Sequence, residues 1–335
     1  MKKVAILGSG SWGTALAVHL ARIGHNVCLW ARDPSLACQL SSTRINAVYL
    51  PGVELPTTVE VTSDLAMALS RAELVVSAVP AQGTRHVIRA AVPFVHSSAT
   101  VVSAAKGLEV DTLLRMSEVM IQELGRERRL AVLSGPSFAV EVARGLPTAV
   151  LVAAVDIQVA ESVQAEFRSP YFRLYASTDV TGVEIGGALK NVIAIAAGVV
   201  EGLALGANAR AGLITRGLAE ITRLACAAGG RRETLSGLSG LGDLVLTCTG
   251  ALSRNHQLGL ELATGRTLQS ILAAMKMVAE GVSTTPAALA LGARYSVELP
   301  ITTQMAEVLA GRRDARTAVE ALMLRRQRAE AEPDE

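Results

Sequence analysis

Near the start of the chain the apolar residues Val4-Ala5-Ile6-Leu7 run straight into Gly8-Ser9-Gly10-Ser11-Trp12-Gly13, after which Ala15, Leu16, Val18, Leu20 and Ile23 recur at helical spacing. A strand that becomes a helix across so short a glycine turn leaves few folds open. Gly8 permits the turn, Gly10 lets the backbone approach a pyrophosphate, and Gly13 lets helix and strand pack closely. The helix N-terminus adds free N–H groups and partial positive charge. GxGxxG alone is weak evidence, but here a second strand at residues 26–31 follows the helix, the context of a dinucleotide site. Gly8, Gly10 and Gly13 are thus candidate cofactor contacts.

Arg32 and Asp33 end the second strand about twenty residues beyond Gly13, where such a fold meets the adenosine ribose. Asp33 suits the free 2′-hydroxyl of NAD and Arg32 the 2′-phosphate of NADP. Asp33-Pro34 also reads as an ordinary cap and first helical residue. Arg32 is the better candidate contact, and the choice between NAD and NADP stays open.

Strand-like segments continue at residues 59–61, 74–79 and 100–104, with helical patterns between them, and then at 130–133, 148–154 and 172–175. Half of the residues are hydrophobic and few are aromatic, which is the composition of an α/β protein whose parallel strands are covered on both faces. Ligands of open α/β sheets bind beyond the carboxyl ends of the strands. Residues 100–104 end there in Ala105-Lys106-Gly107, so Lys106 is either a ligand contact or a solvated loop lysine. Residues 130–133 run into Ser134-Gly135-Pro136-Ser137-Phe138-Ala139, which either offers Ser137 and free backbone N–H groups to a polar ligand or is turn punctuation.

From Asp179 onward the pattern is helical, with glycine-rich breaks and no series of strands. A chain of 335 residues can hold two cores. It divides into a dinucleotide-binding domain at 1–178, a helical domain at 179–325 and a charged tail at 326–335 expected to be disordered. The helical domain opens with Glu184-Ile185-Gly186-Gly187-Ala188-Leu189-Lys190-Asn191 and an apolar run to Val200, in which Lys190 is the only Lys or Arg between Arg173 and Arg210. Such a lysine either snorkels to a surface or presents its amine to a site. Downstream, GLSGLGD delivers Asp243 into apolar surroundings, where a carboxylate needs a cation or good donors. Ser253-Arg254-Asn255-His256 precedes a helical run at 257–263. A Ser253 N-cap with a guanidinium and polar donors in the first turn suits a phosphate dianion, and equally describes a capped surface helix. Val278-Ala279-Glu280-Gly281 adds a polar turn in which Glu280 is either a surface residue or a nicotinamide-side contact.

Charge and cysteine usage argue against other classes. Basic residues number 32 and acidic residues 30, a net +2, so no overall field points to nucleic acid or a membrane. Cys28, Cys38, Cys226 and Cys248 form no CxxC pair and no zinc-like Cys/His cluster, so no metal site is expected and reduced thiols fit a cytoplasmic protein. Met1-Lys2-Lys3 imitates a signal peptide only until glycines, His19 and Arg22 interrupt the pattern. No stretch approaches the ~18 uncharged apolar residues of a membrane span.

In this order, GSGSWG, AAKG, SGPSFAVEVARGLPT, EIGGALKNVIAIAAG, GLSGLGDLVLTC, SRNHQLG and VAEGVSTTPA resemble the bacterial-type NAD(P)-dependent glycerol-3-phosphate dehydrogenases across residues 1 to about 320. The resemblance implies an α/β fold with an N-terminal Rossmann doubly wound sheet and a C-terminal all-α domain. It implies interconversion of dihydroxyacetone phosphate and sn-glycerol 3-phosphate with NAD or NADP, feeding glycerophospholipid synthesis in the cytoplasm. Residue by residue, it places Ser11 and Trp12 at the cofactor pyrophosphate, Arg32 at the adenosine end, Lys106 on both cofactor and substrate, Gly135 and Ser137 on the substrate, and Ala139 on the cofactor. It makes Lys190 the proton donor and acceptor. Asp243, Ser253, Arg254 and Asn255 line the substrate site, and Arg254, Val278 and Glu280 approach the cofactor. Burial is then expected to lower the Lys190 pKa, with an adjacent Asp243 opposing the shift. The rivals are a two-domain hydroxy-acid or sugar-acid dehydrogenase and a dinucleotide-binding sensor without turnover. The Ala- and Gly-rich helices of the second domain offer a face to a second subunit, so a homodimer is a further expectation.

Overall fold

The structure, a computed structural model, describes residues 1–275 and 277–326. Lys3–Leu7 (β1) turns at Gly8 into the helix Ser11–Arg22, and the chain returns as Asn26–Trp30 (β2), paired in parallel with β1 from Lys3↔Asn26 to Leu7↔Trp30. Glu60–Thr62 (β3), Leu74–Ser77 (β4), Thr100–Ser103 (β5), Leu130–Ser134 (β6), Thr148–Ala153 (β7) and Phe172–Ser177 (β8) complete one sheet in the order β8-β7-β6-β5-β4-β1-β2-β3. The strands from β3 to β6 across this sheet are parallel, and the strand order reverses beside β1. That reversal opens a crevice at the carboxyl ends of β1 and β4, where a doubly wound sheet receives its ligand.

The parallel arrangement read from composition stops at β6. β7 pairs antiparallel with β6, and β8 runs parallel to β7. Between β6 and β7 the chain holds only the six-residue helix Ala139–Arg144. Such a helix rises about 9 Å, short of the ~16 Å needed to run back along a five-residue strand, and it packs instead on the helix Ser11–Arg22. The strand ends differ from the sequence reading by one or two residues: β4 and β5 stop at Ser77 and Ser103, and β8 continues to Ser177. A small antiparallel pair, Ile45–Asn46 with Leu50–Glu54, lies outside the main sheet and was not anticipated.

Asp179 caps the next element, its carboxylate accepting from the Gly182 N–H, and the 23-residue helix Val180–Gly202 follows. Beyond it, every described element is helical. By length and composition this helix could cross a membrane, but its apolar window is wholly buried inside the fold. The helices Gly206–Ala227, Asp243–Thr249, Arg254–Ala263 and Glu280–Arg294 pack around it. Its all-round apolar sequence therefore marks a central core helix. Leu108, from the loop after β5, inserts into the same core beside Ile185, Ala188 and Leu189. All four cysteines are free. The tail anticipated at 326–335 lies, from residue 327 on, outside the described residues.

Candidate active site

At the glycine turn the space requirements can be read position by position. Gly8 has φ +107°, and a Cβ on Gly13 would fall 1.9 Å from the Gly8 carbonyl oxygen, so the helix sits directly on the turn. A Cβ on Gly10 would meet nothing within 4 Å. The first N–H groups of a helix have no partner within it, and Gly10 supplies no side-chain cap. An open approach lined by unpaired backbone donors fits the pyrophosphate of NAD(P). Ser11 Oγ donates to the Tyr49 carbonyl at 2.6 Å, and Trp12 packs half-buried against the core of the sheet. Arg32 is exposed just past β2. Asp33 follows the capping alternative: its carboxylate accepts from the Ser35 N–H at 2.9 Å, with Pro34 opening the helix.

On the other side of the crevice, two lysines share one carboxylate. Lys106 donates to Asp243 Oδ2 at 2.6 Å and to the Gly135 carbonyl at 2.9 Å. Lys190 pairs with Asp243 Oδ1 and donates to Thr247 Oγ1 at 2.8 Å. The Thr247 hydroxyl in turn donates to the Asp243 carbonyl at 2.6 Å, so it has a lone pair for the lysine. Lys190 is 6% exposed and Asp243 1%. The glycine-rich segment forms a single π-helical turn at Leu238–Gly242 and delivers Asp243 into the first turn of the helix Asp243–Thr249. That helix explains Thr247, which falls one turn on, on the same face. Gly187 leaves room for the arrangement, since a Cβ there would lie 2.9 Å from Ser134 Oγ and 3.6 Å from Lys106 Cγ.

Burial pulls the Lys190 amine down to about 7, with Asp243 opposing the shift and Lys106 adding to it. For Asp243, burial pushes the carboxyl up, but Lys106 and Lys190 together outweigh it and hold the group below the usual carboxylate range. The expected opposition of burial and counter-ion is present. Two ammonium groups over one carboxylate leave an excess of positive charge when both are protonated, which favours an anionic ligand.

A second group of predicted residues gathers where two helices begin. Ser253 caps Arg254–Ala263, its hydroxyl accepting from the His256 N–H at 3.2 Å. Arg254 is exposed and donates to the Val278 carbonyl at 2.8 Å. Asn255 is buried with both ends of its amide engaged: Nδ2 donates to Asn191 Oδ1 at 2.9 Å, and Oδ1 accepts from the Gly281 N–H at 3.0 Å. The predicted polar turn at residues 278–281 is already helical from Glu280. The Glu280 carboxylate accepts from the Ala81 N–H at 3.0 Å, reaching the first turn of the helix after β4. Burial pushes the Glu280 carboxyl up, opposed by the Ala81 N–H and Arg254.

The structure thus unites Lys106, Gly135, Lys190 and Asp243, with Ser137 donating to the Gly135 carbonyl at 3.0 Å and Ala139 opening the helix just beyond. Asn191, the neighbour of Lys190, links this cluster to Asn255 and so to Arg254 and Glu280. Arg32 stands apart, three strands from Lys106 across the sheet edge. Residues 3–160 match the family model for the N-terminus of NAD-dependent glycerol-3-phosphate dehydrogenase, and residues 179–320 match the model for its C-terminus.

The chain belongs to the NAD-dependent glycerol-3-phosphate dehydrogenase family.

Among its relatives, a glycerol-3-phosphate dehydrogenase (NAD(P)+) of Geobacter sp. (strain M21) is 51% identical over 331 residues, covering 98% of this chain and 99% of its own. The crystal structure of glycerol-3-phosphate dehydrogenase from Coxiella burnetii is similar with a TM-score of 0.93 at 40% identity, covering 97% and 99% of the two chains. A ketopantoate reductase family structure from Ralstonia eutropha JMP134 shares the fold at a TM-score of 0.59 and 18% identity. Thr247, which accepts from Lys190, and Asn191, which accepts from Asn255, are not among the candidates read from the sequence. The spacing of four residues from Asp243 to Thr247 was a usable signal, and so was the adjacency of Asn191 to Lys190.

Proposed function

We propose that this chain catalyses the NAD(P)-dependent interconversion of dihydroxyacetone phosphate and sn-glycerol 3-phosphate, supplying glycerophospholipid synthesis in the cytoplasm. The observation that carries the reading is the pairing of buried Lys190 and half-buried Lys106 on the buried Asp243 carboxylate, in a chain of this family that also has the dinucleotide turn. Residues 1–178 act as the dinucleotide-binding domain and 179–325 as the helical substrate domain, and two copies pair as a homodimer.

Bound nicotinamide supplies the hydride. In reduction, Lys190 Nζ donates a proton to the former carbonyl oxygen; in oxidation the neutral amine takes that proton back. An amine with a pKa of about 7 has both forms available at neutral pH, as a two-way acid and base requires. Asp243 and Thr247 aim the amine, and the Lys106 ammonium stabilises negative charge on the same oxygen. Arg254 holds the phosphate together with the N–H groups that begin its helix. Ser253 and Asn255, whose side chains are engaged within the protein, shape that helix start. Gly135 and Ser137 border the substrate. Ser11, Trp12, Ala139, Val278 and Glu280 border the cofactor, with Arg32 at its adenosine end.

The test follows NADH or NADPH oxidation with dihydroxyacetone phosphate, beside a panel of 3-hydroxy acids. Wild type turns over the triose phosphate, and Lys190→Ala loses on the order of 10²- to 10⁴-fold in kcat. No turnover of triose phosphate with either cofactor contradicts the function, and a Lys190→Ala enzyme that keeps most of its rate contradicts the role of Lys190.

A further inference from the structure

Six residues before Lys190, the same helix carries Glu184, a carboxylate only 5% exposed. All of its partners come from one short segment of the nucleotide-binding half. Oε1 accepts from the Ser117 N–H at 2.8 Å, and Oε2 accepts from the Ser117 hydroxyl at 2.5 Å and from Arg115 Nη1 at 2.8 Å. Ser117 lies in the first turn of the helix Met116–Leu124, so Glu184 satisfies one of its unpaired N–H groups from another element. Burial pushes the Glu184 carboxyl up, against the pull of Arg115 and Ser117. Apolar residues of similar volume often replace a buried ion pair without loss of stability, so stability alone is a weak reason for the pair.

What the pair joins gives a better one. Arg115 and Ser117 stand at the far end of the loop that begins at Lys106. That loop is stiff: Leu108 is packed in the helical core and bridges to Arg115, Glu109 takes a bidentate contact from Arg85, and Gln82 donates to the Leu108 carbonyl. One end of it holds Lys106 on Asp243, and the other holds Glu184. The helix Val180–Gly202 likewise holds Glu184 and, about 9 Å along its axis, Lys190 on Asp243. The same two pieces of chain are therefore connected twice, once through Asp243 of the helix Asp243–Thr249 and once directly at Glu184.

We propose that Glu184 is a positioning residue for the reaction: through Ser117 and Arg115 it locks the Lys190 helix to the Lys106 loop and sets the spacing of the two lysines across Asp243. The inference rests on the proposed dehydrogenase activity, and the experiment separates the two, because only failure of the wild type to turn over bears on that activity. Glu184→Gln keeps the shape but turns an amide toward Arg115. It is compared with Arg115→Met, which also gives up the Arg115–Glu118 pair at 3.0 Å, and with the double variant, which removes both charges of the Glu184–Arg115 pair, by measuring Tm, kcat, cofactor Kd and the pH–rate profile. The double variant is expected to regain most of the Tm lost in Glu184→Gln, while kcat stays on the order of tenfold or more below wild type and cofactor Kd stays within about twofold. Return of kcat along with Tm overturns the proposal, as does wild-type kcat in folded Glu184→Gln. If the double variant remains destabilised, the profile decides: a moved apparent pKa of the lysine limb supports the positioning role, and an unmoved one overturns it.

Discussion

The turn at residues 8–13 presents a ligand with backbone N–H groups and an open approach at Gly10, whereas the pocket around Lys190 presents two ammonium groups on one buried carboxylate. Backbone donors do not titrate and are fixed by the path of the chain. The buried Lys190 amine titrates, and its pKa depends on its neighbours. Under the proposed function, the pyrophosphate end of the cofactor depends on the glycine turn, while the proton and its pH dependence belong to the Lys190 pocket. Substitutions on the two sides are therefore expected to move different constants.

The largest separation is expected from Asp243→Asn. Removing the one carboxylate between Lys106 and Lys190 leaves the buried Lys190 without its counter-ion and the half-buried Lys106 without its carboxylate partner, and removing one partner of a buried pair costs about 3 to 5 kcal/mol. We expect kcat to fall on the order of 10²- to 10³-fold while the cofactor Kd, from fluorescence titration, stays within about threefold. A large loss of cofactor binding in this variant breaks the division of labour.

On the sheet side the comparison sharpens within the turn itself. Gly13→Ala puts a methyl group where the Gly8 carbonyl stands, so both Tm and cofactor affinity are expected to drop. Gly10→Ala meets no protein atom. It therefore lowers Tm only as far as the ~1 kcal/mol that Ala loses as an N-cap requires, yet it narrows the approach and weakens the cofactor by about tenfold. Equal effects of the two substitutions on Tm would argue that Gly10 faces protein rather than ligand.

Much of this was legible in the sequence because the relevant residues carry local signals. The strand, turn and helix at the N-terminus follow from apolar spacing and glycine. Lys190 and Asp243 stand out as charges in apolar surroundings, the lysine free to snorkel or to serve a site and the carboxylate in need of a cation or donors. The hairpin Ile45–Asn46/Leu50–Glu54 did not stand out, because its short strands contain Pro51 and Gly52 and lack alternation. It is held by tertiary bonds instead: buried Asn46 donates to the Ser9 carbonyl and to Thr14 Oγ1, both at 2.8 Å. Asn255 illustrates the other limit. Its chemistry suited a phosphate, but direction is set by packing, and its amide faces Asn191 and Gly281. Glu184 was visible only as part of a motif, since its partners at residues 115 and 117 are distant in sequence.

Burial brings the Lys190 proton into the neutral range, and the Asp243 carboxylate opposes a further fall. The most direct test is the pH dependence of kcat/KM for reduction and oxidation, in wild type and Asp243→Asn. A lowered lysine pKa means that the ammonium is lost as pH rises through about 7. Reduction, which needs the proton, is then expected to fall above that point, and oxidation, which needs the neutral amine, to rise through it. The substrate phosphate titrates near pH ~6 with either enzyme, so the displacement between the two profiles carries the test. In Asp243→Asn the lysine limb is expected to move to lower pH, because the carboxylate that favoured the charged amine is gone. A limb that stays in place in both enzymes, or a wild type with no such break between pH ~6 and ~8, would contradict the account.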